Sequence, residues 1–132
     1  MTFQFHHIHL RSPDPDATAE FYRRMFAAEV TRSVYPPGSP YAGLPKLAMM
    51  VGGQWILIHP TPPNRPVGAA PQAPYYGMEH IGLTVEDLDA AVAELQTKGA
   101  DFMQKPKPTA TGNRNAFVRA PQGVLVEIIQ LG

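Results

Sequence analysis

The chain has 132 residues, room for one domain with a real core and none for a second. It contains no cysteine, which excludes disulfides and thiolate ligands and leaves imidazole, carboxylate, amide or water to hold any metal. Its formal net charge is zero with no basic cluster, and it has neither a leader pattern nor an apolar run near the ~18 residues of a membrane span, so the expectation is a cytoplasmic protein that binds neither nucleic acid nor membrane.

The first strand is expected from about Phe3 to Arg11, where apolar and polar residues alternate. Asp14 is a good N-cap and Pro15 suits the first helical position, so a helix follows, with Ala17, Phe21 and Met25 as its apolar stripe and Phe26 beside it. Asp16 and Glu20 complement the positive end of the helix dipole, and Arg23 and Arg24 the negative end. Glu29 to Tyr35 reads as a second strand, followed by a loop from Pro36 to about Pro45. Lys46 to Val51, the turn Gly52-Gly53 and Gln54 to His59 read as a hairpin.

Pro60 to Pro74 carries six prolines and no periodicity, the pattern of a stiff linker. Beyond it the order repeats. Glu79 to Val85 is a strand, and Asp87 to Lys98 a helix with Leu88, Ala91, Val92 and Leu95 inward and Gly99 as its stop. Asp101 to Lys105 is a strand, and Arg114 to Arg119 with Val124 to Gln130 form the last hairpin. The expected organisation is one domain over 1–132, with module 1 at about 1–60, the linker at 60–76 and module 2 at about 77–132, each module βαβββ.

The repeat itself carries the chemistry. Laying Phe5–Asp14 over Met78–Asp87 matches His7 with His80, Ile8 with Ile81, Leu10 with Leu83 and Asp14 with Asp87. Pairing of the copies about a pseudo-twofold axis would make the two imidazoles converge. Glu127 lies in Val124-Leu125-Val126-Glu127-Ile128-Ile129, otherwise apolar on both faces, so it must be paired, protonated or metal-bound. The plain alternative is an ion pair with Arg114 or Arg119. Two imidazoles and one carboxylate instead suit a divalent first-row ion with positions open for substrate or water. In the first copy the position matching Glu127 is Leu57, or Ile56 if the register slips by one. His59 shares the inner face as ligand, acid/base group or loop cap. His9 and Arg11 extend the face of His7 and are candidates to touch a substrate, while alternation turns His6 away.

The motifs His7-x-His9-Leu10…Asp14…Glu20-Phe21-Tyr22, Glu79-His80-Ile81-Gly82-Leu83-Thr84-Val85-Glu86-Asp87 and Val124-Leu125-Val126-Glu127 resemble the vicinal oxygen chelate superfamily, the glyoxalase/bleomycin-resistance/dioxygenase fold. The resemblance covers nearly the whole chain. It implies an α+β fold of two βαβββ modules forming a curved mixed sheet with a central cup, in a homodimer. It also implies one divalent ion per site (Fe, Mn, Ni, Co or Zn) on His7, His80 and Glu127, chelating adjacent oxygens of a small-molecule substrate. The activity implied is that of a lyase or isomerase; beside Glu127, the strand pattern itself offers His59 as a second catalytic candidate and His9, Arg11 and His59 as candidate substrate contacts. An Fe(II) extradiol-type dioxygenase and a non-catalytic ligand-binding or antibiotic-resistance protein are the alternatives on the same fold. Glyoxalase I and the epimerases carry Glu or Gln where this chain has Leu57 or Ile56. The C-terminal arginine of the fosfomycin transferases is absent, and Tyr41, Tyr75 and Tyr76 are only loop candidates for a dioxygenase tyrosine.

Overall fold

A computed structural model describes all residues, 1–132. The chain divides into two compact units, Met1–Ala69 and Ala70–Gly132, with the boundary inside the proline-rich segment. The first contains β1 (Ile8–Arg11), α1 (Pro15–Phe26), β2 (Glu29–Val34), β3 (Pro45–Val51) and β4 (Gln54–His59). The second contains β5 (His80–Thr84), α2 (Leu88–Thr97), β6 (Phe102–Pro108), β7 (Arg114–Arg119) and β8 (Leu125–Gln130). Their sheets have matching orders, β1-β4-β3-β2 and β5-β8-β7-β6, each with one parallel pair and two antiparallel ones. The architecture is therefore α+β, βαβββ twice over.

Local chemistry explains most boundaries. Asp14 accepts from the Ala17 N–H at 3.1 Å, and Asp87 from the Ala90 N–H at 3.0 Å, so both helices start on the same side-chain cap. Gly52 and Gly53 take φ of 54° and 83°, as a two-residue turn matched to strand twist requires. The ends of the helices differ: Gly99 holds the left-handed position after α2 at φ 81°, while Ala27 holds it after α1 at φ 54°.

Three expectations need correction. Strand one begins at Ile8, not Phe3; residues 1–7 form no ladder, and Phe3 and Phe5 are exposed. Alternation therefore does not separate His6 from His7: their Nδ1 atoms lie 2.7 Å apart. The buried face of α1 is Pro15, Thr18, Ala19, Tyr22 and Met25, one position round from Ala17 and Phe21, because the Tyr22 ring packs into the core beside β3 and β4. Its hydroxyl is buried without a partner. Finally, β6 runs on through Pro106 to Pro108 as the edge of its sheet, where a missing N–H breaks no shared ladder, with register shifts against β7.

Each sheet buries one face against its helix. In the first unit Leu47, Met49, Val51, Ile56 and Ile58 pack with Tyr22 and Met25; in the second Ala116, Val118, Val126 and Ile128 accompany Leu88, Val92 and Leu95. Strand alternation sends the odd-numbered residues of β4, β7 and β8 to the opposite face. That face carries the polar chemistry.

Candidate metal and substrate site

The site in the second unit is built on the parallel pair β5–β8. His80 is registered with Leu125 and Gly82 with Glu127, so both functional side chains rise from the face away from α2. His80 Nε2 lies 3.2 Å from Glu127 Oε2, with the side chains 33% and 16% exposed. Gly82 helps: a Cβ there would stand 3.7 Å from Glu127 Oε2, and its absence leaves the carboxylate open on that side. The Phe117 ring meets His80 edge to face at 5.1 Å.

Each group is held from behind. Glu127 Oε1 accepts from Asn115 Nδ2 at 2.9 Å, and Asn115 Oδ1 accepts from Gln104 Nε2 at 2.8 Å. His80 Nδ1 lies 3.1 Å from Glu79 Oε1. With Nδ1–H given to Glu79, the Nε2 lone pair points toward a carboxylate oxygen, an arrangement that a proton or a cation must bridge. Metal–ligand bonds of about 2.0–2.2 Å place neighbouring ligands roughly 3.0–3.4 Å apart, the range of the His80–Glu127 separation. A carboxylate behind the imidazole and an amide behind the carboxylate are the supports a metal site uses to orient its ligands. On these grounds the donor set fits a divalent ion.

The plain alternative for Glu127 does not hold. Arg114 pairs with Asp89 at 3.0 Å and Arg119 with Asp101 at 2.9 Å. The same sheet face continues into a cavity of about 400 Å³, whose lining includes Leu125, Arg119, Met103 and the strap Pro71-Gln72-Ala73. Leu125, registered with His80 and two residues from Glu127 on the same side of β8, lines this cavity, while His80 and Glu127 themselves do not.

The first unit places its candidates differently. His7 is exposed and precedes β1 by one residue; with Nδ1 engaged by His6, its Nε2 is the nitrogen left for an ion. The β1–β4 register pairs Ile8 with Ile56 and His9 with Leu57, as Ile81 pairs with Val126 and Gly82 with Glu127. Leu57, not Ile56, is therefore the counterpart of Glu127. His59 stands two residues on, registered with Arg11, and its ring meets His9 edge to face at 4.3 Å. Arg11 Nη1 donates to the Pro60 carbonyl at 2.6 Å. Burial first, then the positive charge of Arg11, lowers the pKa of His9 from its usual value. Burial, His9, Arg11 and Lys46, in that order, lower that of His59. Both rings are thus biased to the neutral form. Within neither unit does a group of three or more His, Asp or Glu gather.

Sequence reasoning missed Asn115, Gln104, Glu79 and Tyr35. Asn115 left one signal, an amide in a strand otherwise apolar between its two arginines; the others became visible only through pairing.

The chain is thus βαβββ twice over, with a histidine–carboxylate pair on the parallel strands of its second unit. The chain belongs to the Glyoxalase/Bleomycin resistance protein/Dioxygenase superfamily, whose family model matches residues 4–128. It is 31% identical over 137 residues to an ethylmalonyl-CoA/methylmalonyl-CoA epimerase of Cereibacter sphaeroides, covering 99% of this chain and 100% of the relative. Among solved structures it resembles a glyoxalase family protein from Enterococcus faecalis, with a TM-score of 0.75, 23% identity and coverage of 96% and 97%. It also resembles a point mutant of the fosfomycin resistance protein FosX from Listeria monocytogenes, complexed with Mn(II) and 1S,2S-dihydroxypropylphosphonic acid, with a TM-score of 0.70, 20% identity and coverage of 100% and 93%.

Proposed function

We propose that the chain is a divalent-metal-dependent enzyme of the lyase or isomerase type, acting on a small substrate with neighbouring oxygens. Within the second unit the ligands assigned are His80 and Glu127, and His7, the match of His80 in the sequence repeat, is the third ligand expected from that repeat. The observation that carries this reading is the 3.2 Å approach of His80 Nε2 to Glu127 Oε2, buttressed by Glu79 and Asn115. The epimerase among its relatives and the Mn(II) complex of a protein sharing its fold support it.

When bound, the ion supplies Lewis acidity toward the substrate's oxygens. The residues do the rest. Leu125 and Phe117 offer apolar surface beside His80, on which the carbon skeleton of a substrate can lie. Glu127, with one oxygen tied to Asn115, is assigned to hold or accept a proton through the other. His59 is the candidate proton carrier of the first unit: its ring makes no hydrogen bond to protein, and burial and nearby cations bias it toward the neutral, proton-accepting form. His9 and Arg11 are assigned to substrate contact. A second reading, a three-ligand Fe(II) dioxygenase, is favoured by one observation, the apolar Leu57 at the position matching Glu127.

Elemental analysis of purified protein tests the site. About one first-row metal per chain is expected, falling to background in His80→Ala; unchanged content in that variant refutes the assignment. Exchange of the α-proton of 2-oxo and 2-hydroxy acids in deuterated water separates the two chemistries. Exchange lost in His59→Ala supports proton transfer, and exchange absent from the metal-loaded wild type favours the dioxygenase.

A further inference from the structure

At the Arg11 end of the first sheet, five donor-bearing side chains meet. His9 and Arg11 come from β1 and His59 from β4, Lys46 lies at the start of β3, and Tyr35 directly follows β2. The Tyr35 ring lies 6.0 Å from the His59 ring, and Lys46 Nζ lies 5.7 Å from the Tyr35 centroid. The groups whose charge bears on His59 are His9, Arg11, Lys46 and His7, with no carboxylate among them. The acids of this unit are occupied or distant. Asp14 caps α1, Asp16 pairs with Arg32, Glu20 pairs with Arg23, and Glu29 opens β2 at its other end.

The set is short of acceptors. Neither His9 nor His59 hydrogen-bonds to protein, Lys46 has an aromatic face in place of an ion-pair partner, and the Tyr35 hydroxyl is buried with no partner at all. The buried, unpaired Tyr35 hydroxyl is unusual in a folded protein, and beside it the exposed His9 and Lys46 and the half-buried His59 keep their donors free for an acceptor arriving from solvent. We infer that this end of the first sheet is a subsite for an anionic oxygen group, a carboxylate or a phosphoryl, held by His9, His59 and Lys46 with Arg11 adding charge. A charged acceptor bonded by several donors at once is the strong form of hydrogen bonding, and the positive field would concentrate such ligands.

As the seat of a substrate's charged group the subsite rests on the metal-enzyme reading; as an anion site it stands without it. The probes are therefore malonate, inorganic phosphate and the neutral malonamide, added to the full chain while the His9 and His59 ring signals are followed by NMR. Saturable shifts with malonate identify a carboxylate subsite, and with phosphate a phosphoryl one. Lys46→Gln is expected to weaken binding about tenfold, as loss of a charged hydrogen-bonding partner does. Tyr35→Phe should weaken it about threefold without lowering the melting temperature, since the hydroxyl it removes is unpaired in the free protein. His80→Ala should leave anion binding in place even where metal is lost, which separates failure of this site from failure of the metal site. Equal shifts with malonamide, no saturation with either anion, or full affinity in Lys46→Gln would overturn the inference.

Discussion

The two units share one fold and differ in the polar side chains that their sheets carry. Both cap their helix with an aspartate, and both close the parallel pair with a matching bond, Ser12 N–H to the His59 carbonyl and Val85 N–H to the Ile129 carbonyl, each 2.9 Å. Yet residues 1–69 hold four of the five histidines and six Lys/Arg against four Asp/Glu, while residues 70–132 hold five Lys/Arg against seven Asp/Glu. At matched positions Glu127 becomes Leu57, Gly82 becomes His9 and Ile129 becomes His59. A carboxylate beside a glycine makes a place for a cation. An imidazole pair beside a leucine cannot hold a cation as well, and among Arg11 and Lys46 it favours anions. The duplicated scaffold differs at three positions on one sheet face, and on the proposed readings those three differences separate the roles of the units.

The largest effects should come from exchanging those positions. Glu127→Leu gives the second unit the first unit's apolar residue and should weaken metal affinity by at least about a hundredfold, beyond the roughly 10–100-fold expected from losing a mere supporting group. Isothermal titration with Zn(II) or Mn(II) reads this, and retained affinity would mean Glu127 is no ligand. The reciprocal Leu57→Glu places a carboxylate between His9 and His59 and should add a second, weaker equivalent of metal; a chain that still binds only one would show that side-chain identity alone does not separate the units.

Asn115→Ala comes next, at roughly tenfold in metal affinity, because it frees Glu127 Oε1 and leaves the Gln104 amide only the residue-115 backbone carbonyl at 3.4 Å. Affinity unchanged in a well-folded variant would mean the carboxylate orients itself.

A smaller effect separates the helix ends. Ala27 holds a left-handed backbone that Gly99 holds in the other unit without strain. Ala27→Gly should therefore stabilise the protein by about 0.5–1 kcal/mol, the αL penalty partly offset by glycine's greater unfolded entropy. Urea denaturation with an unchanged slope checks it, and destabilisation would contradict it.

The smallest expected effect is on pH dependence. The His9 and His59 pKa values are lowered in the folded chain from about 6.5, so below that the unfolded state binds more protons. Their contribution is complete above the unfolded value and is lost as pH falls through the folded one. Melting temperature should drop on acidification from about pH 7 to about pH 5, less steeply in His59→Gln; identical slopes would remove His59 from that dependence.

How much of this was legible beforehand follows the range of the forces involved. The Asp14-Pro15 start, the Gly52-Gly53 turn, the Gly99 stop and the bounds of β4 and β7 depend on a few adjacent residues, and the sequence alone determined them. It also determined the duplication and the match of His7 with His80, because repeats are a property of order. Glu127 stood out because a carboxylate in an apolar strand must be satisfied somehow. Only the tertiary structure decided how: not by Arg114 or Arg119, which turn to Asp89 and Asp101, but by His80 and Asn115. It alone chose Leu57 over Ile56, since strand register is set by pairing across about fifty residues, where a one-residue slip exchanges every side chain between faces. The burial of Tyr22 in place of Phe21, and the gathering of His9, His59, Tyr35 and Lys46 from four parts of the first unit, have the same origin. Local propensity says what each segment can be; which side chains share a face depends on contacts that no local window contains.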